Sequence, residues 1–232
     1  MNRGPVAGII LAAGRSSRLG RPKQLLDLGG KPLLRATLDN ALASSLDRVF
    51  LVLGHEAVAI SRALGLHPAT VVVNDHFADG QASSVVAGVN ALPDQTAAAM
   101  LLLGDQPGVT PAIIDGVVAA WRAADAQIAA PVYGGTLGNP VLFRRDLFPE
   151  LLRLAGDEGA RRLVREHSPD VLRVPIDLSD PPPDIDTEAD YQRLIERRPR
   201  SGGDETEMAP RWQPPTARRP GRSAAHGEPK LG

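Results

Sequence analysis

The chain has 232 residues, of which 43% are apolar, 23% charged and 3% aromatic, with a formal net charge of −1 and no cysteine. That length and composition suit one α/β domain with an ample core. The near-neutral charge and scarce aromatics argue against nucleic acid or an anionic membrane as the main partner. The absence of cysteine excludes disulfides, a thiolate nucleophile and Cys-ligated metal. No apolar run approaches the roughly 20 residues that span a bilayer. The opening MNRGPVAGIILAAGRSS lacks a signal-peptide core and cleavage site, so the expected location is the cytoplasm.

Val6–Leu11, Val49–Leu53, Thr70–Val73 and Ala99–Leu103 are strand-length runs, apolar on both faces and bounded by turn signals, which predicts buried strands. Leu33–Ala43, Glu56–Leu64, Ser83–Ala91 and Pro111–Ala124 are compatible with helices between them, the last capped by Thr110 with proline at its first position. Such alternation predicts a mostly parallel sheet with helices on both faces, in three layers, and a ligand beyond the carboxyl ends of its strands. Three segments lie at those ends: Ala12–Lys23, Gly54–His55 and Gly104–Pro107.

Farther on, Ile128–Val132 reads as a fifth strand and Tyr133–Phe143 as a hairpin turning at Gly134–Gly135. Asp146–Leu154 and Glu158–Glu166 read as helices, Val171–Pro175 as a strand, Pro181–Pro183 as a loop, and Thr187–Arg197 as a helix capped by Thr187. The domain is therefore expected over residues 1–196. Residues 197–232 are rich in Pro, Gly and charge without periodicity, and are expected to form a disordered tail. The tail carries eight Lys/Arg against four Asp/Glu, a balance of +4 against −5 for the body.

The densest chemical signal is Leu11-Ala12-Ala13-Gly14-Arg15-Ser16-Ser17-Arg18-Leu19-Gly20-Arg21-Pro22-Lys23. Small residues let backbone N–H groups approach an oxyanion, and the four cations neutralise phosphate charge. Read as composition alone, the loop also suits a solvated basic turn. Neither GxxxxGK[ST] nor GxGxxG is present, which weighs against a P-loop NTPase or a Rossmann dehydrogenase. LAAGRSSRLGRPK resembles the signature loop of the nucleotidyltransferases. The continuation QLLDLGGKPLL fits as a short strand, a Gly29–Gly30 turn and a helix opening at Lys31–Pro32. Within that superfamily the chain most resembles the molybdenum cofactor (molybdopterin) cytidylyltransferase branch, from residue 8 to about 195.

The resemblance implies a Rossmann-like nucleotidyltransferase fold and roles for particular residues. Leu11, Ala12, Ala13, Gly14 and Arg15 would bind nucleotide phosphates, with Arg18 and Lys23 catalytic. Asp105, in Gly104-Asp105-Gln106-Pro107, matches the stretch whose aspartate holds Mg²⁺; such a sequence is also turn chemistry. In Asp184-Ile185-Asp186-Thr187, Asp186 is the preferred second metal ligand and Asp184 the alternative, although Asp186 or Thr187 equally suits a helix cap. Ala189 stands where the family commonly has proline. Gly54, His55, Gly80, Ser83 and Ser84 match nucleotide-contacting positions. Asn139 (in place of the usual His), Asp157 and Arg161 match the acceptor site. The remaining histidines have no metal-ligand spacing.

The implied reaction moves a nucleoside monophosphate, CMP from CTP, onto a phosphorylated acceptor such as molybdopterin, with Mg²⁺ as cofactor and a molybdoenzyme as a conceivable partner. Three alternatives stay open: another nucleotidyltransferase using GTP or a sugar phosphate, an NAD(P)H-dependent reductase on the same fold, and a non-catalytic nucleotide-binding subunit.

Overall fold

A computed structural model describes residues 4–197. The expected tail therefore lies, but for its first residue, outside the described residues. Eight strands form one sheet: β1 (Val6–Leu11), β2 (Arg48–Leu53), β3 (Thr70–Val73), β4 (Ala98–Leu103), β5 (Ile128–Tyr133), β6 (Thr136–Leu137), β7 (Val141–Arg144) and β8 (Leu172–Ile176). The helices are α1 (Leu33–Leu42), α2 (Ala57–Leu64), α3 (Gln81–Asn90), α4 (Pro111–Ala123), α5 (Phe148–Leu151), α6 (Arg161–Glu166) and α7 (Glu188–Arg197). The strand order is β3-β2-β1-β4-β7-β5-β6, with β8 beside β5. The first four strands are mutually parallel, and β7 runs against both β4 and β5.

Alternation along the strands sends side chains to two cores. Val6 and Ile10 of β1, Leu51 of β2 and Met100 of β4 pack with α1, α2 and α4. Ala7 and Ile9, Phe50 and Val52, and Ala99 and Leu101 pack on the other face with α3, α5 and α6. This is the expected three-layer architecture. A third, smaller core joins Leu26, Leu28 and Leu33 to Ile185 and packs Tyr191 and Leu194 of α7 against them.

Several local expectations change. Strand β3 is not buried: as the last strand of the sheet it has a neighbour on one side only, and Val71 and Val73 are exposed. The Gly134–Gly135 turn does join β5 to β6, but β7 then inserts between β4 and β5 instead of extending the hairpin. The strand expected before Gly29–Gly30 reduces to one bridge, Asp27 to Pro32. Thr110 occupies the N-cap position of α4 with Pro111 behind it, yet makes no capping bond, and its Oγ1 is buried without a partner. Thr187 does cap α7: its Oγ1 accepts from Asp190 N–H (3.2 Å), while Asp190 Oδ2 accepts from Thr187 N–H (2.8 Å).

Connectivity places the crevice. After β1 the chain builds outward through β2 and β3, then crosses back to lay β4 on the other side of β1. The crossovers leaving β1 and β4 diverge there, opening a gap above the carboxyl ends of these strands.

Candidate functional site

The loop leaving β1 is braced from below. Ala12 N–H donates to Val52 O (2.9 Å), and Ala13 O accepts from His55 N–H (3.1 Å). Gln24, buried, donates through Nε2 to Ala12 O (2.9 Å) and Gly14 O (3.0 Å). Ser16 adopts a left-handed backbone (φ 55°), and its Oγ accepts from Lys23 N–H (3.1 Å), which folds the loop back and brings Lys23 into the crevice. The backbone donors expected over Leu11–Gly14 are therefore fewer. Leu11 belongs to the β1 ladder and Ala12 N–H is spent on β2, leaving Ala13 and Gly14 as the open N–H groups of that four-residue stretch.

A cleft of about 500 Å³ opens over this loop, lined among others by Ala13, Gly14, Arg15, Lys23, Asp105, Asp157, Arg161, Asp184 and Asp186. Lys23 is its electrostatic hinge. Its Nζ stands 2.5 Å from Asp105 Oδ2 and 2.7 Å from Asp186 Oδ1, and Arg18 Nη1 reaches Asp186 Oδ2 at 2.9 Å. Burial would lower the Lys23 pKa, but the facing Asp105 and Asp186 carboxylates outweigh it, and the net shift is upward. The hydrogen bond from Lys23 holds the Asp186 carboxyl below its ordinary range against partial burial, helped by the charges of Lys23 and Arg18. Asp184 shifts upward, first through burial and then through the charges of Asp105 and Asp186. Its Oδ1 is buried with no hydrogen-bond partner.

The three carboxylates form an all-oxygen donor set, the chemistry that Mg²⁺ or Mn²⁺ selects. An ammonium already settles between two of them, so a cation is accommodated there. As placed, no group of three His, Asp or Glu among the described residues is arranged to hold a metal. The carboxylates of Asp105, Asp184 and Asp186 are of the type that suits a hard divalent ion.

The other expected site residues divide. Gly80 and Ser84 line the cleft, but the Ser84 hydroxyl is buried and accepts from Asn74 Nδ2 (3.1 Å). Ser83 does not line it: its Oγ accepts from Asn74 Nδ2 and donates to Gly80 O, closing the first turn of α3. Gly54 and His55 also stand behind the cleft. A Cβ on Gly54 would lie 2.6 Å from Phe77 Cβ, and the His55 ring meets Phe77 edge-on at 5.9 Å. Both therefore support the loop and Phe77. Arg18 is 71% exposed and reaches the site through Asp186.

Asn139 falls in a second cavity of about 600 Å³, which adjoins the first and shares Leu11, Gln81, Leu103, Arg161 and Asp184 with it. Its walls are largely apolar, including Val85, Leu101, Val141 and Val164, closed by Pro181–Pro183. Asp157 stands on the cleft side and Arg161 between the two cavities, and Gly156 O accepts from Ala82 N–H (3.0 Å), which ties the loop before them to α3. The sequence reading gave no role to Ser16, Gln24, Asn74, Phe77 or Gln81. Ser16 lay inside the singled-out Leu11–Lys23 loop, and Gln24 left a trace as a polar residue between Lys23 and the apolar Leu25-Leu26.

Residues 8–171 match the family described as the MobA-like NTP transferase domain. Nicotine blue oxidoreductase of Paenarthrobacter nicotinovorans is 31% identical over 201 residues, spanning 82% of this chain and 96% of its own length. Molybdenum cofactor cytidylyltransferase of Escherichia coli is 29% identical over 192 residues, 82% of this chain and 95% of its own. Among solved structures, Rv0371c of Mycobacterium tuberculosis in complex with manganese superposes with a TM-score of 0.74 at 34% identity, covering 84% of this chain and 100% of that one.

Proposed function

The chain belongs to the MobA-like NTP transferase family, and from that premise we propose that it transfers CMP from CTP to a phosphorylated acceptor of the molybdopterin type, releasing pyrophosphate. The observation that carries this reading is the Lys23 ammonium held between Asp105 and Asp186 at the mouth of a braced, glycine-bearing loop. Polyphosphate needs that combination of open N–H groups, a cation and hard-cation ligands.

In the proposed reaction an acceptor phosphate oxygen attacks the α-phosphorus in line. A new P–O bond forms there as the bond to the β-phosphate bridging oxygen breaks, and that oxygen leaves on pyrophosphate. A phosphate monoester is already anionic, so no strong base is required. The obstacle is the approach of two anions, which positioning and charge neutralisation overcome. The N–H groups of Ala13 and Gly14, with the Arg15 guanidinium, would take the β- and γ-phosphates. Arg15 is poised over the Phe77 ring at 5.2 Å. Lys23, with Arg18 beside Asp186, would stabilise the α-phosphate and the departing pyrophosphate. Asp105 and Asp186, with Asp184 as the reserve, would hold Mg²⁺, which when bound supplies charge neutralisation between the phosphates. Asn139, Asp157 and Arg161 would face the acceptor. A cytoplasmic setting and delivery to a molybdoenzyme belong to the same proposal.

A second reading, an NAD(P)H-dependent reductase, is favoured by the similarity to nicotine blue oxidoreductase. Paired Asp105 and Asp186 have no evident task in hydride transfer. A thermal-shift panel of CTP, GTP, ATP and NADPH, with and without Mg²⁺, separates the two. The cognate ligand at about 100 times its Kd adds about 2.7 kcal/mol of stability. Mg²⁺-dependent stabilisation by CTP, followed by pyrophosphate release with acceptor, supports the proposal. The same response to GTP moves the assignment to guanylyl transfer, and metal-independent stabilisation by NADPH alone overturns it.

A further inference from the structure

The segment before α7 serves both cavities. Pro181–Pro183 close the second one, and Asp184 and Asp186, directly after them, line the cleft. Its composition limits how it can be held, because three consecutive prolines have no N–H to donate and are tied only through their carbonyls. The one hydrogen bond that Pro181–Pro183 make among the described residues comes from Gln106, whose Nε2 donates to Pro182 O (3.1 Å). Gly108 admits the contact, since a Cβ there would stand 3.0 Å from Pro182 Cβ. Farther on, Ile185 N–H donates to Asp105 O (3.1 Å), and the Ile185 side chain is buried with Leu26, Leu28 and Leu33. Asp184 therefore lies between two ties to the turn that carries Asp105, and Asp186 follows the second.

Gln106 is only 4% exposed, and its Oε1 is sealed in the interior with no partner. An apolar side chain of the same size would avoid that cost, so the bond to Pro182 is what the amide contributes. Exchanging its oxygen and nitrogen would set two oxygens against each other at Pro182, which fixes the orientation. The backbone of Gln106 is held as well: its N–H donates to Leu103 O (3.2 Å), and its O accepts from Val109 N–H (3.1 Å). The clasp thus starts from the same braced turn as Asp105. We infer that Gln106 is a positioning residue: by holding Pro182 it sets where Asp184 and Asp186 stand against Asp105, and so how tightly the cleft holds a divalent cation. It acts through the backbone of Pro182 and touches neither nucleotide nor metal. This rests on the metal-dependent transferase reading above. Groups that orient a metal's ligands commonly change its affinity by about 10–100-fold when replaced.

The test titrates Mn²⁺ into the full chain, alone and with CTP, and follows the free ion by electron paramagnetic resonance. Gln106→Met keeps length and volume but removes the donor, and is expected to weaken Mn²⁺ binding about tenfold. Val117→Ala is the comparison: Val117 is fully buried on α4 and lines neither cavity, so its loss destabilises the fold while Mn²⁺ affinity is expected to stay within about twofold. A merely structural Gln106 would leave Mn²⁺ affinity as unmoved as Val117→Ala does. Gly108→Ala presses on Pro182 from beside the clasp with the Gln106 amide in place. It is expected to weaken Mn²⁺ in the same direction, and it decides the case where Gln106→Met does not fold. Mn²⁺ affinity equal to wild type in the deciding variant overturns the inference. With Mn²⁺-dependent CTP binding intact, that result removes the role of Gln106 and leaves the transferase reading standing. A wild type that binds no Mn²⁺, with or without CTP, overturns both.

Discussion

Lys23 and Asp105 are 82 positions apart in the chain, yet Lys23 Nζ stands 2.5 Å from Asp105 Oδ2, with only 18% and 15% of the two side chains exposed. Taking both charges out of water is costly, and the arrangement holds because Asp186 supplies a second carboxylate at 2.7 Å. One ammonium thus serves two acids from two distant segments.

Replacement of Lys23 by Ala is therefore expected to slow pyrophosphate release by a factor on the order of 10²–10³, about 3–4 kcal/mol of barrier, as for other preorganised charge-stabilising groups. The loss is expected to fall on kcat more than on KM, because in the proposed reaction Lys23 meets the charge developing on the leaving group. Steady-state kinetics with a folded variant, verified by circular dichroism, check this. Near-normal turnover would remove Lys23 from the reaction.

The Lys23–Asp186 pair also predicts a stability plateau in pH. Asp186 lies below its ordinary 3.8 because Lys23 donates a hydrogen bond to it, against burial. Its contribution is complete above the unfolded value and disappears as pH falls through the lower folded value. Lys23 lies above its ordinary 10.5, the carboxylates outweighing burial. Its contribution is complete below 10.5 and disappears as pH rises through the higher folded value. Thermal melts across the range are expected to show both limbs. Asp186→Asn should make the acid limb shallower, with Asp146 and Asp190, both lowered to about 2, carrying the remainder, and an unchanged acid limb would refute this account.

Gln24→Leu tests the brace under the loop. The substitution keeps the volume but strands the carbonyls of Ala12 and Gly14, an expected loss of about 1–3 kcal/mol for each that stays buried. Chemical denaturation measures the loss. Triphosphate affinity is expected to fall with it, because the open N–H groups of Ala13 and Gly14 share that backbone. A loss of stability with unaltered nucleotide affinity would separate the brace from the site.

Gly80→Ala is expected to destabilise by about 1–3 kcal/mol, which for this size corresponds to about 2–4 °C in Tm per kcal/mol. Gly80 has φ +101°, and a Cβ there would meet the Gly156 carbonyl at 2.5 Å and Asp157 Oδ1 at 2.6 Å. Since the loop beyond Gly156 carries Asp157 and Arg161, acceptor-dependent turnover is expected to fall further than stability alone explains. A fully stable variant would show that this loop yields.

Several of these residues stand out in the sequence and others do not. The Leu11–Lys23 loop is legible because glycine, serine and cations after a buried strand have one common use. Asp105 and Asp186 are legible through their short motifs. Gly54, His55 and Ser83 sit in equally suggestive stretches, but the backbone turns them toward Phe77, Ala13 and Asn74 instead of the cleft. Gln106 reads as part of a turn until Pro182, 76 positions later, is placed against its amide.

Periodicity, turn residues and the composition of one loop were enough for the sequence alone to determine the alternating strands and helices, the layered sheet and the expectation of a phosphate-bearing ligand above it. These are local properties, set by residues within a few positions of one another. Tertiary structure alone decided that β7 separates β4 from β5, that β3 is left exposed, that Ala12 spends its N–H on β2, and that Lys23 joins Asp105 to Asp186. Each of those outcomes is a contest between groups far apart in the chain for the same partner or the same space. Burial and electrostatics settle such contests only once the sheet has brought the competitors together.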